Sequence, residues 1–148
     1  MLPIWKSIEI RTQLPKPKDY PFEVTNLGDA IKKKRMDLKL SKVELGQVLN
    51  VTPESIGFYE RNEKKPLLHI LKRILDWLGY IPPLGADRNT IGGQLYIYRI
   101  QKGLTQKEVA RRLRIDNTVI WKIENNQYIN PKCLEKFKAL YSKILFIH

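Results

Sequence analysis

Apolar positions recur with a helical period through most of the chain. In residues 27–38, Leu27, Ile31 and Leu38 mark one face, while Lys32, Lys33 and Lys34 lie mostly opposite. Most of the later segments of this kind open with a capping residue or a proline, which are helix-start signals. We therefore predict an all-α chain, with helices at about 27–38, 41–49, 52–61, 66–79, 91–101, 105–113, 117–125 and 131–145.

The helical pattern is duplicated. Residues 27–65 align with residues 91–129 at a constant offset of 64 positions and without a gap. Self-similarity at one period indicates one structural unit used twice. We predict unit 1 at residues 26–81, unit 2 at residues 91–148, and a proline- and glycine-containing linker at residues 82–90. Matching positions include Gly28 and Gly92, Arg35 and Arg99, Glu44 and Glu108, Glu60 and Glu124, and Asn62 and Asn126.

The first 25 residues differ from both units. Four prolines interrupt them, at positions 3, 15, 17 and 21, and predict an extended arm. Residues 7–12 alternate in the manner of a strand, which would need a partner, for example in a second subunit. A loosely ordered arm is the simpler interpretation.

The charge balance favours a polyanionic partner. The chain has 27 basic and 15 acidic residues, a net charge of +12, and a pI near 9.8. Unit 2 carries more of this excess than unit 1, so it should attract phosphate more strongly. Cys133 is the only cysteine, which excludes an intrachain disulfide and suits a reducing compartment. With no signal peptide or membrane-length apolar run, we expect a cytoplasmic, nucleoid-associated protein.

The duplicated segment carries a recognisable motif. It occurs as SKVELGQVLNVTPESIGFYE at residues 41–60 and as TQKEVARRLRIDNTVIWKIE at residues 105–124. In each copy a hydroxyl cap opens a short helix, a tight turn follows, and a second helix ends in glutamate. This pattern resembles the lambda repressor/Cro (Xre-type) helix-turn-helix family over about three-quarters of the chain. The resemblance implies two tandem domains of four to five helices each.

The resemblance also implies a structural frame. Gly46 and Ala110 stand where the two motif helices cross, where a large residue would overpack. The family's ion pair between the first and third helices maps to Arg35 with Glu60 and to Arg99 with Glu124. The family usually has glycine at the turn, with positive φ. Here the glycine is replaced by Asn50 and Arg114. Asparagine tolerates positive φ, whereas for arginine this conformation is energetically unfavourable.

In this family the third helix enters the major groove, so the resemblance implies a set of DNA contacts. The base-reading places map to Pro53, Glu54 and Phe58 in unit 1, and to Asn117, Thr118 and Lys122 in unit 2, with Trp121 beside them. The phosphate-contacting places map to Ser41, Lys42, Thr105 and Gln106. Lys64, Arg111 and Arg114 extend the phosphate set.

Four features remain open in the sequence. Trp121 either packs on a base or sugar, or covers the linker or the other unit. The run of Lys32, Lys33 and Lys34 is either a solvated face or a phosphate contact. Cys133 and Trp77 are predicted to face the core.

The leading hypothesis is a sequence-specific double-stranded DNA-binding regulator of a prokaryote or its mobile elements. The alternative is an antitoxin-like or mobile-element adaptor in which one or both units bind protein rather than DNA. A homodimer through the arm or unit 1 is compatible with either. The two histidines have no metal-ligand or catalytic cluster around them, so we expect no enzyme activity, cofactor, metal, membrane contact or small-molecule ligand.

Overall fold

The computed structural model describes residues 15–127 and 129–145, with side chains as far as Lys143. These residues form eight α-helices and no strand, which confirms the all-α prediction. Each helix begins and ends within two residues of its predicted bounds. The helices are α1 (Leu27–Asp37), α2 (Lys42–Leu49), α3 (Pro53–Glu60), α4 (Leu68–Leu78), α5 (Ile91–Lys102), α6 (Gln106–Leu113), α7 (Asn117–Glu124) and α8 (Pro131–Leu145).

Side-chain caps set the starts of the motif helices. Ser41 and Thr105 each form a capping box with the glutamate three residues on. The backbone N–H and the hydroxyl of Thr105 both donate to the Glu108 carboxylate. These hydrogen bonds hold the pKa of Glu108 below its usual value. Asp116 caps α7 by accepting from the Thr118 N–H, a cap that the sequence analysis missed. The side chains of Asn26, Thr52 and Thr90 likewise cap α1, α3 and α5 by accepting from backbone N–H groups.

Each unit buries its own apolar cluster among its four helices. In unit 1, α3 packs against α1 and α2, and α4 covers α1 and α2. In unit 2, α7 packs against α5 and α6, and α8 covers α6. Ile56 of α3 and Ile120 of α7 are fully buried at the matching centres of these clusters. The motif helices are therefore held from two sides, and their opposite faces remain exposed.

Two glycines allow the first helix of each unit to approach the third. A Cβ on Gly28 would lie 2.6 Å from the carbonyl oxygens of both Tyr59 and Glu60. A Cβ on Gly92 would overlap the carbonyl oxygen of Ile123 in the same way. Close backbone approach explains why glycine occupies both positions of the repeat.

The two units are packed together rather than merely linked. Ile100 of α5 is only 4% exposed and belongs to the apolar cluster of unit 1, with Tyr96 partly buried beside it. The linker residue Leu84 packs on the same cluster, and Pro82 is buried. The α4–α5 contact thus sets the relative placement of the units, which the sequence left open.

The described part of the arm folds back on α1. Tyr20 is buried and donates from its hydroxyl to Asp37 at 2.7 Å, and Lys16 pairs with the same carboxylate at 2.8 Å. The simpler expectation of a loosely ordered arm is wrong for residues 15–25, whereas the predicted strand at residues 7–12 lies outside the described residues.

The lysine run is used within the chain. Lys32 pairs with Asp19 at 2.8 Å, Lys33 donates to the Phe22 carbonyl, and Lys34 donates to the carbonyls of Trp77 and Leu78 at the end of α4. Neither a solvated face nor a phosphate contact describes these side chains, because each already has a partner from the arm or from α4.

The core prediction for Cys133 is wrong, because this side chain is exposed. The apolar stripe of α8 runs through the half-buried Leu134 and the buried Phe137 and Tyr141, whereas Cys133 lies in the first turn of the helix, where its side chain is not covered. Trp77 is half-buried against the unit 1 cluster, as predicted. Among the described residues, the helices are too short or too polar to cross a membrane.

We predict that Gly28→Ala lowers the free energy of unfolding by roughly 1–3 kcal/mol, because the new methyl meets backbone that cannot move aside. Urea unfolding followed by circular dichroism measures the change. Gly57→Ala is the matched control, since a Cβ there meets only the flexible end of Arg61, at 3.1 Å. This control should be neutral or stabilising by about 0.5–1 kcal/mol, because alanine favours helix. Equal effects of the two substitutions would contradict the close crossing.

Candidate nucleic-acid interface

The turn between the motif helices has the same backbone in both units. Asn50 and Arg114 adopt left-handed conformations with φ of 52° and 54°. The N–H groups of Val51 and Ile115 then donate to the carbonyls of Gly46 and Ala110 at 2.9 and 3.0 Å. For Arg114 this conformation costs on the order of 1 kcal/mol.

The motif crossing leaves little room. A Cβ on Gly46 would lie 2.7 Å from the Val51 carbonyl oxygen, whereas Ala110 is accommodated at the matching place with 4% exposure. The angle between the motif helices is therefore set by direct backbone contact and a small residue.

A buried ion pair ties the first helix to the third in each unit. Arg35 donates to both carboxylate oxygens of Glu60, at 2.5 and 3.2 Å, and to the Leu40 carbonyl at 2.9 Å. Arg99 repeats this with Glu124 at 2.6 and 3.0 Å, and with the Leu104 carbonyl at 3.0 Å. Both glutamate side chains are only 4% exposed. These arginines are therefore structural and lie away from the exposed helix faces.

One predicted phosphate contact joins this network instead of facing outward. Gln106 donates its amide to Glu124 at 2.7 Å, and Lys42, its counterpart, lies 4.0 Å from Glu60. The sequence suggested only the helix-start position of these residues, because the approach to the glutamate depends on the crossing of α6 and α7. Lys42 remains largely exposed.

The face of α7 presents polar and aromatic groups. Asn117, Thr118 and Lys122 are exposed, and Trp121 is 50% exposed. Trp121 belongs to neither apolar cluster of the described residues. The Thr118 hydroxyl donates to Asp116, which lowers the pKa of that carboxyl.

Exposed polar and basic side chains lie on the elements that precede α7. Thr105, Arg111, Arg112 and Arg114 are exposed on α6 and the turn. Among the described residues, none of these three arginines has an ion-pair partner. Their charge is therefore available to an anionic partner beside α7.

The face of α3 is built differently. Phe58 is half-buried between two cations, with the Arg61 guanidinium 5.4 Å and the Lys64 ammonium 4.3 Å from its ring centre. Arg61 also pairs with Glu63 at 2.6 Å. Around them Ser41 and Glu54 are exposed and Pro53 is partly exposed. Unit 1 thus offers an aromatic ring and carboxylates where unit 2 offers amide and ammonium groups.

Comparison across the repeat shows differences that the sequence analysis overlooked. Gly57 occupies the position of Trp121. Val43 and Val48 of α2, 54% and 58% exposed, occupy the positions of Lys107 and Arg112. The signal was present in the alignment of the repeat, but only the matching positions were compared.

Asn62 and Asn126 occupy matching positions of the repeat. Both adopt positive φ directly after the third helix of their unit. Asn62 accepts from the Gly28 N–H at 3.3 Å and donates to Asn26 at 2.9 Å. It therefore joins the end of α3 to the start of α1.

Two protein families match the chain, one in each unit. The family described as "Helix-turn-helix" matches residues 31–84, and the family described as "Helix-turn-helix domain" matches residues 92–145. The chain matches no curated protein and no solved structure. Within the described residues, no three acidic, cysteine or histidine side chains lie close enough to hold a metal ion.

We predict that Arg99→Met lowers the free energy of unfolding of unit 2 by roughly 3–5 kcal/mol, because it leaves Glu124 buried without its cation. The double variant Arg99→Met/Glu124→Leu should recover part of this loss. Urea unfolding measures both. Arg61→Met is the control, since it breaks a similar pair that is half exposed, and it should move the midpoint little. Equal losses for Arg61→Met and Arg99→Met would show that burial of the pair is unimportant.

Proposed function

Because the chain carries two tandem helix-turn-helix domains of the lambda repressor/Cro type, we propose that it is a sequence-specific double-stranded DNA-binding regulator that inserts α7 into the major groove. The observation that carries the proposal is the exposed hydrogen-bonding side chains of α7, together with the exposed arginines of α6 and the turn, which have no ion-pair partner among the described residues. An α-helix fits the width of the major groove of B-form DNA.

The side chains of unit 2 divide into two roles. Asn117 and Lys122 donate to base edges, and the Thr118 methyl meets a thymine methyl. Arg111, Arg114 and Thr105 bind phosphate and set the register of the helix. Trp121 packs on a sugar or base at the edge of the groove.

Unit 1 makes a weaker contact through α3. The Phe58 ring can meet a thymine methyl, and Glu54 can accept from a cytosine amino group. Lys42, Lys64 and Ser41 bind flanking phosphates. The carboxylates of Glu54 and Glu63 oppose this binding, so most of the affinity comes from unit 2.

Two different recognition helices on one chain, α3 and α7, favour an extended and asymmetric DNA site. Successive major grooves on one face of a duplex lie about 34 Å apart. The packed α4–α5 joint favours a single spacing of α3 and α7, and their different faces favour different half-sites. A regulator of this kind would act in the prokaryotic cytoplasm, on the nucleoid, without catalytic activity.

The second candidate is a protein contact made by unit 1. It is favoured by the exposed Val43 and Val48, which replace the basic residues of α6. Apolar side chains on this surface suit a protein partner better than phosphate. In this arrangement unit 2 holds DNA, and α2 holds a second subunit or another protein.

We predict that Lys122→Ala relaxes base preference at one position and costs about 1–3 kcal/mol on the preferred site. Arg111→Ala should weaken all sequences alike, with the slope of log Kd against log salt reduced by about 1. Neither side chain bonds to the described residues, so folding is preserved. Selection of bound sequences from random duplexes, followed by titrations at several salt concentrations, measures both effects. If Lys122→Ala alters neither affinity nor preference, the placement of α7 is wrong.

We predict that Val43→Lys/Val48→Arg separates the two roles of unit 1. If α2 docks a second copy of the chain, the variant should be monomeric in sedimentation equilibrium at concentrations where the parent is dimeric. The reciprocal variant Lys107→Val/Arg112→Val should leave assembly unchanged and weaken DNA binding. A monomeric parent, or tighter DNA binding by Val43→Lys/Val48→Arg with unchanged assembly, would favour DNA reading by both units.

A further inference from the structure

A cleft lies between the two units, beside the α4–α5 joint. Its volume is about 560 Å³, within the usual range for small-molecule sites. It is lined by the start of α1, the end of α3 with the loop that follows, α4, the linker, and one face of α5. Sites of this kind occur preferentially where domains meet.

The floor of the cleft is apolar. Leu68 and Leu71 of α4, Leu84 of the linker, and Ile100 of α5 line it. Leu71 and Ile100 are almost fully buried, and the other two are partly exposed. Such a surface suits an aromatic or aliphatic body that would lose water contact on binding.

The rim supplies positive charge and a hydrogen-bond donor. Lys64 and Lys65 line one side and are both exposed. Lys65 has no ion-pair partner among residues 15–127 and 129–143. Tyr96 also lines the cleft, and its hydroxyl makes no hydrogen bond to the described residues. Burial raises the pKa of the Tyr96 phenol, so it stays protonated and can donate at neutral pH.

We propose that this cleft binds a small amphipathic anion, with an apolar body on the leucine and isoleucine floor and a carboxylate or similar group between Lys65 and Tyr96. The charge of the rim selects an anion over a neutral or cationic ligand. The apolar floor selects against small inorganic anions, which have no body to bury there. The assignment departs from the sequence-based expectation that no small molecule binds.

The cleft is adjacent to the DNA-facing elements. Tyr59 and Asn62, at the end of α3, line it, and Lys64 is both a rim residue and a predicted phosphate contact. A bound anion would compete for the Lys64 ammonium and brace α3 against α5. This coupling rests on the proposed function, whereas ligand binding itself can be measured without DNA.

The test uses the full chain and the fluorescent anion 8-anilinonaphthalene-1-sulfonate, in the absence of DNA. We expect saturable one-to-one binding, displaced by 1-naphthoate but not by the neutral 1-naphthalenemethanol. Lys65→Gln should weaken binding about 3- to 10-fold and reduce its salt dependence, and Tyr96→Phe should weaken it by a similar factor. Lys138→Gln, which removes an exposed lysine from α8 far from the cleft lining, is the matched control and should bind like the parent.

Four results would overturn the proposal. The first is the absence of saturable binding to the full chain. The second is unchanged affinity in both Lys65→Gln and Tyr96→Phe, and the third is equal displacement by the acid and the alcohol. Binding only to a chain that begins at Pro15 would also overturn it, by showing that the first 14 residues fill the cleft. If the chain binds the fluorescent anion as expected but does not bind DNA, only the proposed function is refuted.

Discussion

The buried pairs of Arg35 with Glu60 and of Arg99 with Glu124 are the constraint on which each unit depends. A carboxylate that is almost wholly buried needs its cation, and the arginine also bonds the carbonyl of Leu40 or Leu104. The pair therefore joins the end of the first helix, the loop before the second and the last turn of the third. It determines which side of α3 or α7 faces inward, and so which side chains remain for recognition. A helix free to rotate about its axis could not present one set of donors to the bases.

Comparison of the two copies distinguishes a shared structural frame from the positions available for recognition. The capping boxes, the left-handed turns, the close-approach glycines and the ion pairs occur in both units. The positions outside this frame differ: Phe58 corresponds to Lys122, Gly57 to Trp121, and Val43 to Lys107. The frame positions are constrained by packing and backbone geometry, which are the same in both copies. The surface positions are constrained by a binding partner. Their divergence therefore favours different partners or half-sites for the two units.

Local chemistry was predictable from the sequence, whereas contacts between distant segments were not. Caps and helix bounds depend on a few neighbouring residues, whereas the positive φ at Asn50 and Arg114 was implied by the resemblance to the helix-turn-helix family. The partners of Lys32, Lys33 and Lys34 come from the arm and from the end of α4, far along the chain. Gln106 was assigned to phosphate because its bond to Glu124 requires the crossing of α6 and α7. Cys133 was misplaced because periodicity gives a face but not how much of it is covered.

The joint between the units links the frame to function. Ile100 belongs to a helix of unit 2 but fills the apolar cluster of unit 1, so separating the units would expose it to water. Two readers held in this way lose less freedom on binding than two readers on a flexible linker, which favours affinity at a single spacing. The same packing places a cleft between them, where an occupant touches both units. A ligand that prefers one arrangement of α4 and α5 would shift the spacing of the readers, and its effect on DNA binding is limited by that difference in affinity.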